Sequence, residues 1–426
     1  DLVSVDIPDN KAVDIEAENI PIDVIYEDDD ILIVNKPKGL LVHEADATAG
    51  TKLNVHGGIV YGGCYLTGYV EGDSWVDYDC SLSPLCTDDR FFGKRNKAIY
   101  DEVANLSRNN ALNIFGAGYG TDTHSMGDVY LCVKTSGGDT SSENGDWPFI
   151  YNVFGGGNMG TVAGSTNVYY DGGKQGTMLG SLYGGGFKGD INGNTYVELV
   201  QGFLVNVYGG SRQANIGGAA HVWAYDGSTR ESTGLAGKTS EGKDKFNHLI
   251  ICNMYGGNDI SGEIRGTMPA TWTKNVWTDL EGKNFNSYIQ VSGTNPGEKG
   301  FPLVGNVYGG GNGEQWSEEL GAAPNVGTSL LEIDGGTTLE AFGGGNKATI
   351  TGDAYIFINA TGENYADVQF TEYQKGILED KFFKTVRDGY TWNGTELQMS
   401  AHHVDNLFGG NNVAAMAIQP KWNLKQ

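Results

Sequence analysis

Basic residues are scarce in this chain: 28 Lys and Arg stand against 53 Asp and Glu, a formal net charge of −25 over 426 residues. A protein that grips nucleic acid neutralises phosphates with clustered Lys and Arg, and no such cluster is present. The expected partners are therefore neutral polymers, cations or other proteins, with no nucleic acid among them; the charge also serves solubility. Cysteine is sparse as well. The five Cys include no CxxC pair and no His/Cys cluster at zinc spacing, which excludes a zinc module. Their odd number leaves at least one thiol outside intrachain disulfides. Long apolar runs are missing, so no helical membrane span is expected. There is no P-loop, dinucleotide fingerprint, Ser-His-Asp set, EF-hand or calcium nonapeptide. No metal site and no cofactor is expected, with Ca²⁺ the one ion left open.

Proline is also low, at 10 residues, whereas glycine reaches 66, roughly twice its usual share of about 7%. Aromatics make up 11% of the chain, and disordered chains are normally poor in them. The glycines are not scattered. An apolar residue, an aromatic residue and then glycine recur at Ile59, Asn113, Asn152, Ser181, Asn206, Asn253, Asn306, Ala341 and Asn406, as in "NVFGGG" and "NVYGGG". A second phrase begins with Gly and then alternates. Its +2, +4 and +6 positions are small or apolar: Val129/Leu131/Val133, Thr166/Val168/Tyr170, Thr195/Val197/Leu199, Ala220/Val222/Ala224, Ser329/Leu331/Ile333 and Ala354/Ile356/Ile358. Period-two alternation marks strands with one buried face, and a shared register marks them as stacked equivalents.

The shortest intervals between aromatic-glycine phrases are 29 residues (Phe154 to Tyr183) and 25 (Tyr183 to Tyr208). Each holds two or three short strands, one coil of a β-solenoid, and longer intervals carry insertions, such as 226–245, that coils contacting only their neighbours tolerate. The expected fold is all-β, a parallel β-helix with loop insertions and a short strand-rich N-terminal cap. The expected divisions are 1–48 for the cap or a fusion segment, 49–415 for the solenoid and 416–426 for a tail. A propeller is the rival architecture, but its blades would be longer and more uniform. Glycine at the corners supplies the positive φ of tight turns. The recurrent Asn before the aromatic residue is open to two readings, a side-chain ladder or a turn residue. These repeats resemble the glycine-rich "VYGGGN" solenoids of bacterial surface proteins, and that resemblance implies a cell-surface location without any chemistry.

The opening is of another kind. "VSVDIP" and "AENIPIDVIYEDDDILIVNKPKGLLVH" resemble the start of the catalytic domain in pseudouridine synthases of the ribosomal large-subunit type. The resemblance implies isomerisation of uridine by a catalytic Asp in an Arg-Leu-Asp-x-x-Thr-Ser-Gly motif. That motif is missing. The nearest stretch, "YLCVKTSG" at Tyr130–Gly137, has Cys132 where the Asp belongs and Tyr130 in place of the Arg. The same stretch also fits the repeat register, so it reads as a solenoid strand.

Candidate site residues lie on the outward positions of the alternating strands. Tyr169, Tyr196, Trp223, Tyr225 and Phe357 could stack on a ligand, although stacked rings also stabilise neighbouring strands. Weaker catalytic candidates are the carboxylate pairs Glu332 with Asp334 and Asp171 with Glu198. Residues two apart on a strand lie about 6.6–6.8 Å apart on one face, within the roughly 5–9.5 Å used by glycosidases. The expected function is a secreted or surface-attached bacterial adhesin, glycan-binding or filament protein, outside the cell or on its surface. Its partners would be a glycan or another cell-surface component, or further copies end to end. The alternatives are a polysaccharide lyase or glycoside hydrolase on a β-helix and, third, a pseudouridine synthase remnant without its catalytic Asp. Whether the chain is an enzyme stays open, with a non-enzyme favoured.

Overall fold

A computed structural model describes residues 23–27, 32–35, 59–79, 113–134, 149–172, 178–225, 249–269, 282–292, 302–358, 368–370, 372–394, 396–397, 403–413 and 421–424. The chain divides into two units, Asp1–Leu53 and Asn54–Gln426. In the first, strands Asp23–Glu27 and Leu32–Asn35 pair antiparallel, with a register shift between Val24 and Tyr26. Among the described residues the second unit is of the all-β class, and two short α-helices, Glu372–Leu378 and Lys384–Gly389, sit in one stretch.

The second unit is built from large parallel sheets. The aromatic-glycine phrases form one stack of strands, each paired in register with the phrase before and after it. Asn113, Ile114 and Phe115 lie opposite Asn152, Val153 and Phe154; Ser181, Leu182 and Tyr183 lie opposite both Asn152, Val153 and Phe154 and Asn206, Val207 and Tyr208. The register continues through Tyr255, Tyr308, Phe342 and Phe408. The alternating phrases form a second stack, in which Thr166 faces Val129 on one side and Thr195 on the other. The long strand Thr195–Tyr208 belongs to both. A third set runs through Thr67–Val70, Asp122–Ser125 and Thr161–Val162, and through Glu263–Ile264, Asn325–Val326 and Thr349–Ile350, joined by bridges at Ile191 and Ile216.

The core follows from the two periodicities. The residue before each aromatic ring (Ile114, Val153, Leu182, Val207, Met254, Val307, Ala341) packs in one buried cluster with the +4 residues of the alternating strands (Leu131, Val168, Val197, Val222, Leu331, Ile356). The third set adds a column of Val162, Ile191, Ile216, Ile264, Val326 and Ile350. The rings form a column of their own. Phe115, Phe154, Tyr183, Tyr208, Tyr255, Tyr308, Phe342 and Phe408 stack in sequence at 4.6–4.9 Å with interplanar angles of 4–12°. That separation is the strand spacing of a sheet, about 4.8 Å. The Asn question resolves as a ladder: Asn152 Nδ2 donates to Asn113 Oδ1 at 2.7 Å, Asn253 to Asn206 at 3.0 Å and Asn306 to Asn253 at 2.9 Å.

The first glycine of each phrase corrects the expected role of glycine. Among the described residues none of these glycines has positive φ. What they lack is room. A Cβ on Gly116 would meet Gly155 O at 2.3 Å, one on Gly155 would meet Gly184 O at 2.1 Å, and one on Gly309 would meet Gly343 O at 2.3 Å. Each such glycine lets the next strand's carbonyl approach where a side chain would stand.

The stretch expected to be a tail contains the strand Lys421–Leu424, which pairs in parallel with Tyr355–Ile358. The helical stretch packs on the outside of the aromatic stack, where Phe370, Ile377, Leu378, Phe383, Val386 and Tyr390 cover Met178, Phe203, Ile250, Leu303 and Leu339. Tyr390 Oη donates within reach of both Val304 O (2.8 Å) and Thr337 O (2.9 Å).

Candidate functional site

The outward face of the alternating stack has two columns of side chains, fixed by the in-register pairing. One reads Trp75, Tyr130, Asn167, Tyr196, His221, Tyr288, Leu330 and Tyr355. The other reads Asp77, Cys132, Tyr169, Glu198, Trp223, Gln290, Glu332 and Phe357. The face then splits in two. A hairpin of Met268–Pro269 and Asn284–Phe285 covers the later half, where Met268, Phe285, Tyr288, Leu330, Tyr355 and Phe357 form a buried cluster. The earlier half is an open groove of about 410 Å³, lined by Trp75, Asp77, Tyr130, Cys132, Asn167, Tyr169, Tyr196, Glu198, His221 and Trp223.

This division separates the sequence candidates. Tyr169, Tyr196, Glu198 and Trp223 line the groove. Tyr225 stands beside Trp223, ring centroids 4.3 Å apart, and donates to Glu198 Oε1 at 2.7 Å. Asp171 accepts from Gln201 Nε2 at 2.6 Å. Phe357 and Glu332 do not belong to any open face: Phe357 is 3% exposed and Glu332 is fully buried. Glu332 accepts a hydrogen bond from Tyr288 Oη, and Asp334 lies within 3.4 Å of Gln290 Nε2. The pair expected to flank a scissile bond is thus split between the interior and a strand end. Alternation alone cannot show this, because the covering strands Met268–Pro269 and Asn284–Phe285 lie outside the alternating phrases.

Sequence reasoning omitted Trp75 from the site. Its strand, Ser74–Asp79, follows Gly72 and places Ser74 and Val76 at the +2 and +4 positions, so the phrase itself was the available signal. Trp75 stacks on Tyr130 at 4.1 Å and 12°. Tyr196 meets His221 edge-on at 6.2 Å, and Trp223 Nε1 donates to Ser292 Oγ at 3.2 Å. Burial, followed by the charges of Asp171 and Glu198, pushes the Tyr169 phenol up to about 12. Burial and the hydrogen bond to Glu198 raise that of Tyr225 as well. In both, burial is the larger cause and the neighbouring carboxylates add to it.

The described residues contain no group of three or more His, Cys, Asp or Glu placed to hold a metal, and no helix among them is long and apolar enough to cross a membrane. Cys64 and Cys252 are thiols, while Cys80 and Cys86 lie outside the described residues, as do the expected insertion at 226–245 and the Thr135-Ser136-Gly137 part of the motif-like stretch.

Comparison with known proteins brings in RNA modification. The chain is 46% identical over 55 residues to the uncharacterized RNA pseudouridine synthase YlyB of Bacillus subtilis, 13% of this chain and 18% of that protein. It is 47% identical over 53 residues to ribosomal large subunit pseudouridine synthase D of Salmonella typhimurium, covering 12% and 16%. It is 32% identical over 148 residues to an uncharacterized RNA pseudouridine synthase of Synechocystis, covering 33% and 42%. The chain therefore spans less than half the length of each of these relatives. No family model matches it, and no solved structure does. These relatives support the resemblance of the opening and overturn the functional expectation drawn from the repeats. Nothing among them is an adhesin, a glycan binder or a polysaccharide-cleaving enzyme, and none supports an extracellular or cell-surface place. The exclusion of nucleic acid fails with it, because it weighed bulk charge over a local signal covering about an eighth of the chain.

Proposed function

We propose that this chain is a catalytically silent relative of the RNA pseudouridine synthases, a remnant that keeps the family's opening without its nucleophile and carries it on a β-solenoid. The missing motif is the observation that bears the reading. Its nearest counterpart has Cys132 in the position of the Asp, and that residue lies in a strand of the repeat, Val129–Lys134, paired on both sides between Ser74–Asp79 and Thr166–Asp171. Isomerising uridine requires the base to be taken out of its stack into a pocket and attacked or assisted there by the aspartate. A thiol on the face of a parallel sheet, with a Tyr in place of the Arg, supplies neither the acid nor its partner. The solenoid reading rests on the three parallel sets of strands, in which each passage through one aromatic-glycine phrase and one alternating phrase forms a coil. RNA is the substrate class that the lineage carries.

The test is incubation of the purified full chain with unmodified large-subunit ribosomal RNA, followed by base-resolution mapping of pseudouridine. The expected result is no new pseudouridine. A site formed by the full chain and lost on deleting residues 1–48 would overturn the proposal.

A further inference from the structure

The groove left open by the Met268/Phe285 hairpin has a chemistry that the opening segment does not account for. Among the described residues five aromatic side chains line it (Trp75, Tyr130, Tyr169, Tyr196 and Trp223), accompanied by the carboxylates of Asp77 and Glu198 and by no Lys or Arg. Where the later half of the same face is buried, Trp75 is 58% exposed. Asn167 interrupts the first column between Tyr130 and Tyr196. A short side chain there leaves a notch two strand spacings wide, about 9.6 Å. Tyr130 bounds the notch on one side, its far face occupied by Trp75 at 4.1 Å, and Tyr196 bounds it on the other. Tyr169, two residues along the same strand as Asn167, stands beside the notch, and its register partner is Glu198. Glu198 is held in place by Tyr225 at 2.7 Å.

We propose that this groove binds a small organic ammonium cation. A cation over the faces of Trp and Tyr is attracted by the ring quadrupoles, and partial desolvation strengthens the attraction. Glu198 and Asp77 add Coulombic attraction of the same sign. An anionic ligand, phosphate backbones included, would meet both carboxylates without a compensating base among the described lining residues. The volume of about 410 Å³ falls within the roughly 300–1,000 Å³ of small-molecule sites, and the net charge of −25 draws cations toward the surface.

The probes are choline and its uncharged isostere 3,3-dimethylbutan-1-ol, titrated calorimetrically into the full chain. Choline is expected to bind at least about tenfold more tightly than the isostere, the worth of one well-placed cation–π contact. Trp75→Ala and Glu198→Gln should each weaken choline by about tenfold, while Trp316→Ala, outside the groove, should leave it unchanged. Trp75 is exposed, so its removal spares the core, and an unchanged melting temperature verifies that. Equal binding of choline and the isostere, or no heat from choline at millimolar concentration, would overturn the proposal. So would tighter binding of an oligouridylate or an oligolysine peptide competing at the same residues, the first by showing an RNA site and the second a protein-docking site.

Discussion

Replacing Gly155 by alanine is expected to damage the sheet out of proportion to the one methyl group added. The new Cβ would stand 2.1 Å from Gly184 O, 2.8 Å from Val168 Cγ2 and 3.0 Å from Gly184 C. Real Cβ contacts are not found below about 3 Å, so something must move. The nearest atom is a backbone carbonyl that cannot rotate away. Around it, Gly155 N–H donates to Tyr183 O at 2.9 Å and Gly184 N–H donates to Tyr208 O at 2.9 Å. Relieving the clash means spreading two strands at the point where Phe154 stacks on Tyr183 at 4.6 Å. Overpacking costs about 1–3 kcal/mol when side chains absorb it; with backbone on the receiving side, about 3 kcal/mol is expected. Because each strand of the stack pairs only with the strand on either side of it, the damage should be local. Hydrogen exchange is therefore the suitable assay. Amides of 153–156 and 182–185 should lose about a hundredfold in protection, since each 1.4 kcal/mol is tenfold. Gly72→Ala is the control, because a Cβ there meets nothing within 4 Å. Undiminished protection in Gly155→Ala, or equal loss in Gly72→Ala, would refute the close-approach account of the repeat.

Phe154→Ala should cost about 3–5 kcal/mol in urea unfolding, since the ring is fully buried and stacked at 4.6 Å on both Phe115 and Tyr183; a loss below about 1 kcal/mol would deny the column its stabilising role. Asp259 is buried and accepts from Tyr183 Oη at 3.0 Å and Asn312 Nδ2 at 2.8 Å, yet burial outweighs these bonds and Arg212 and holds its carboxyl above the ordinary value. The folded state therefore binds this proton more tightly than the unfolded chain does. Stability from this group is greatest below the unfolded pKa of about 3.9 and falls as pH rises through the folded value. The urea midpoint of Asp259→Asn relative to the parent should accordingly move in the variant's favour as pH rises over that window, and the opposite drift would show that Arg212 and the donors dominate. Tyr390→Phe removes donation to Val304 O and Thr337 O and should cost about 1–2 kcal/mol, read as faster exchange of the 372–390 amides.

The repeat phrases were enough to reveal an all-β unit with shared register, because period-two alternation and a fixed aromatic-glycine spacing are local properties of the chain. They also distinguished inward from outward residues on strands such as Val129–Lys134 and Thr166–Asp171, whose burial alternates. The opening's likeness to the pseudouridine synthases was legible in "DDDILIVNKPKGLLVH", but its weight against the repeats was not: composition averages over the whole chain, whereas the similarity is local. Only the tertiary structure decided which outward residues stay open. Glu332 and Phe357 hold the same column as Tyr169 and Glu198, yet both are buried, and Phe357 packs in one cluster with Met268 and Phe285, whose paired strands cover this half of the face. Trp75 and Tyr130, distant in sequence, became neighbours, and the first glycine of each phrase proved to supply space, while positive φ falls to other glycines such as Gly202 and Gly262. Each of these depends on which strand lies next to which, and that is settled by the pairing and packing of strands distant in sequence rather than by any stretch of sequence read alone.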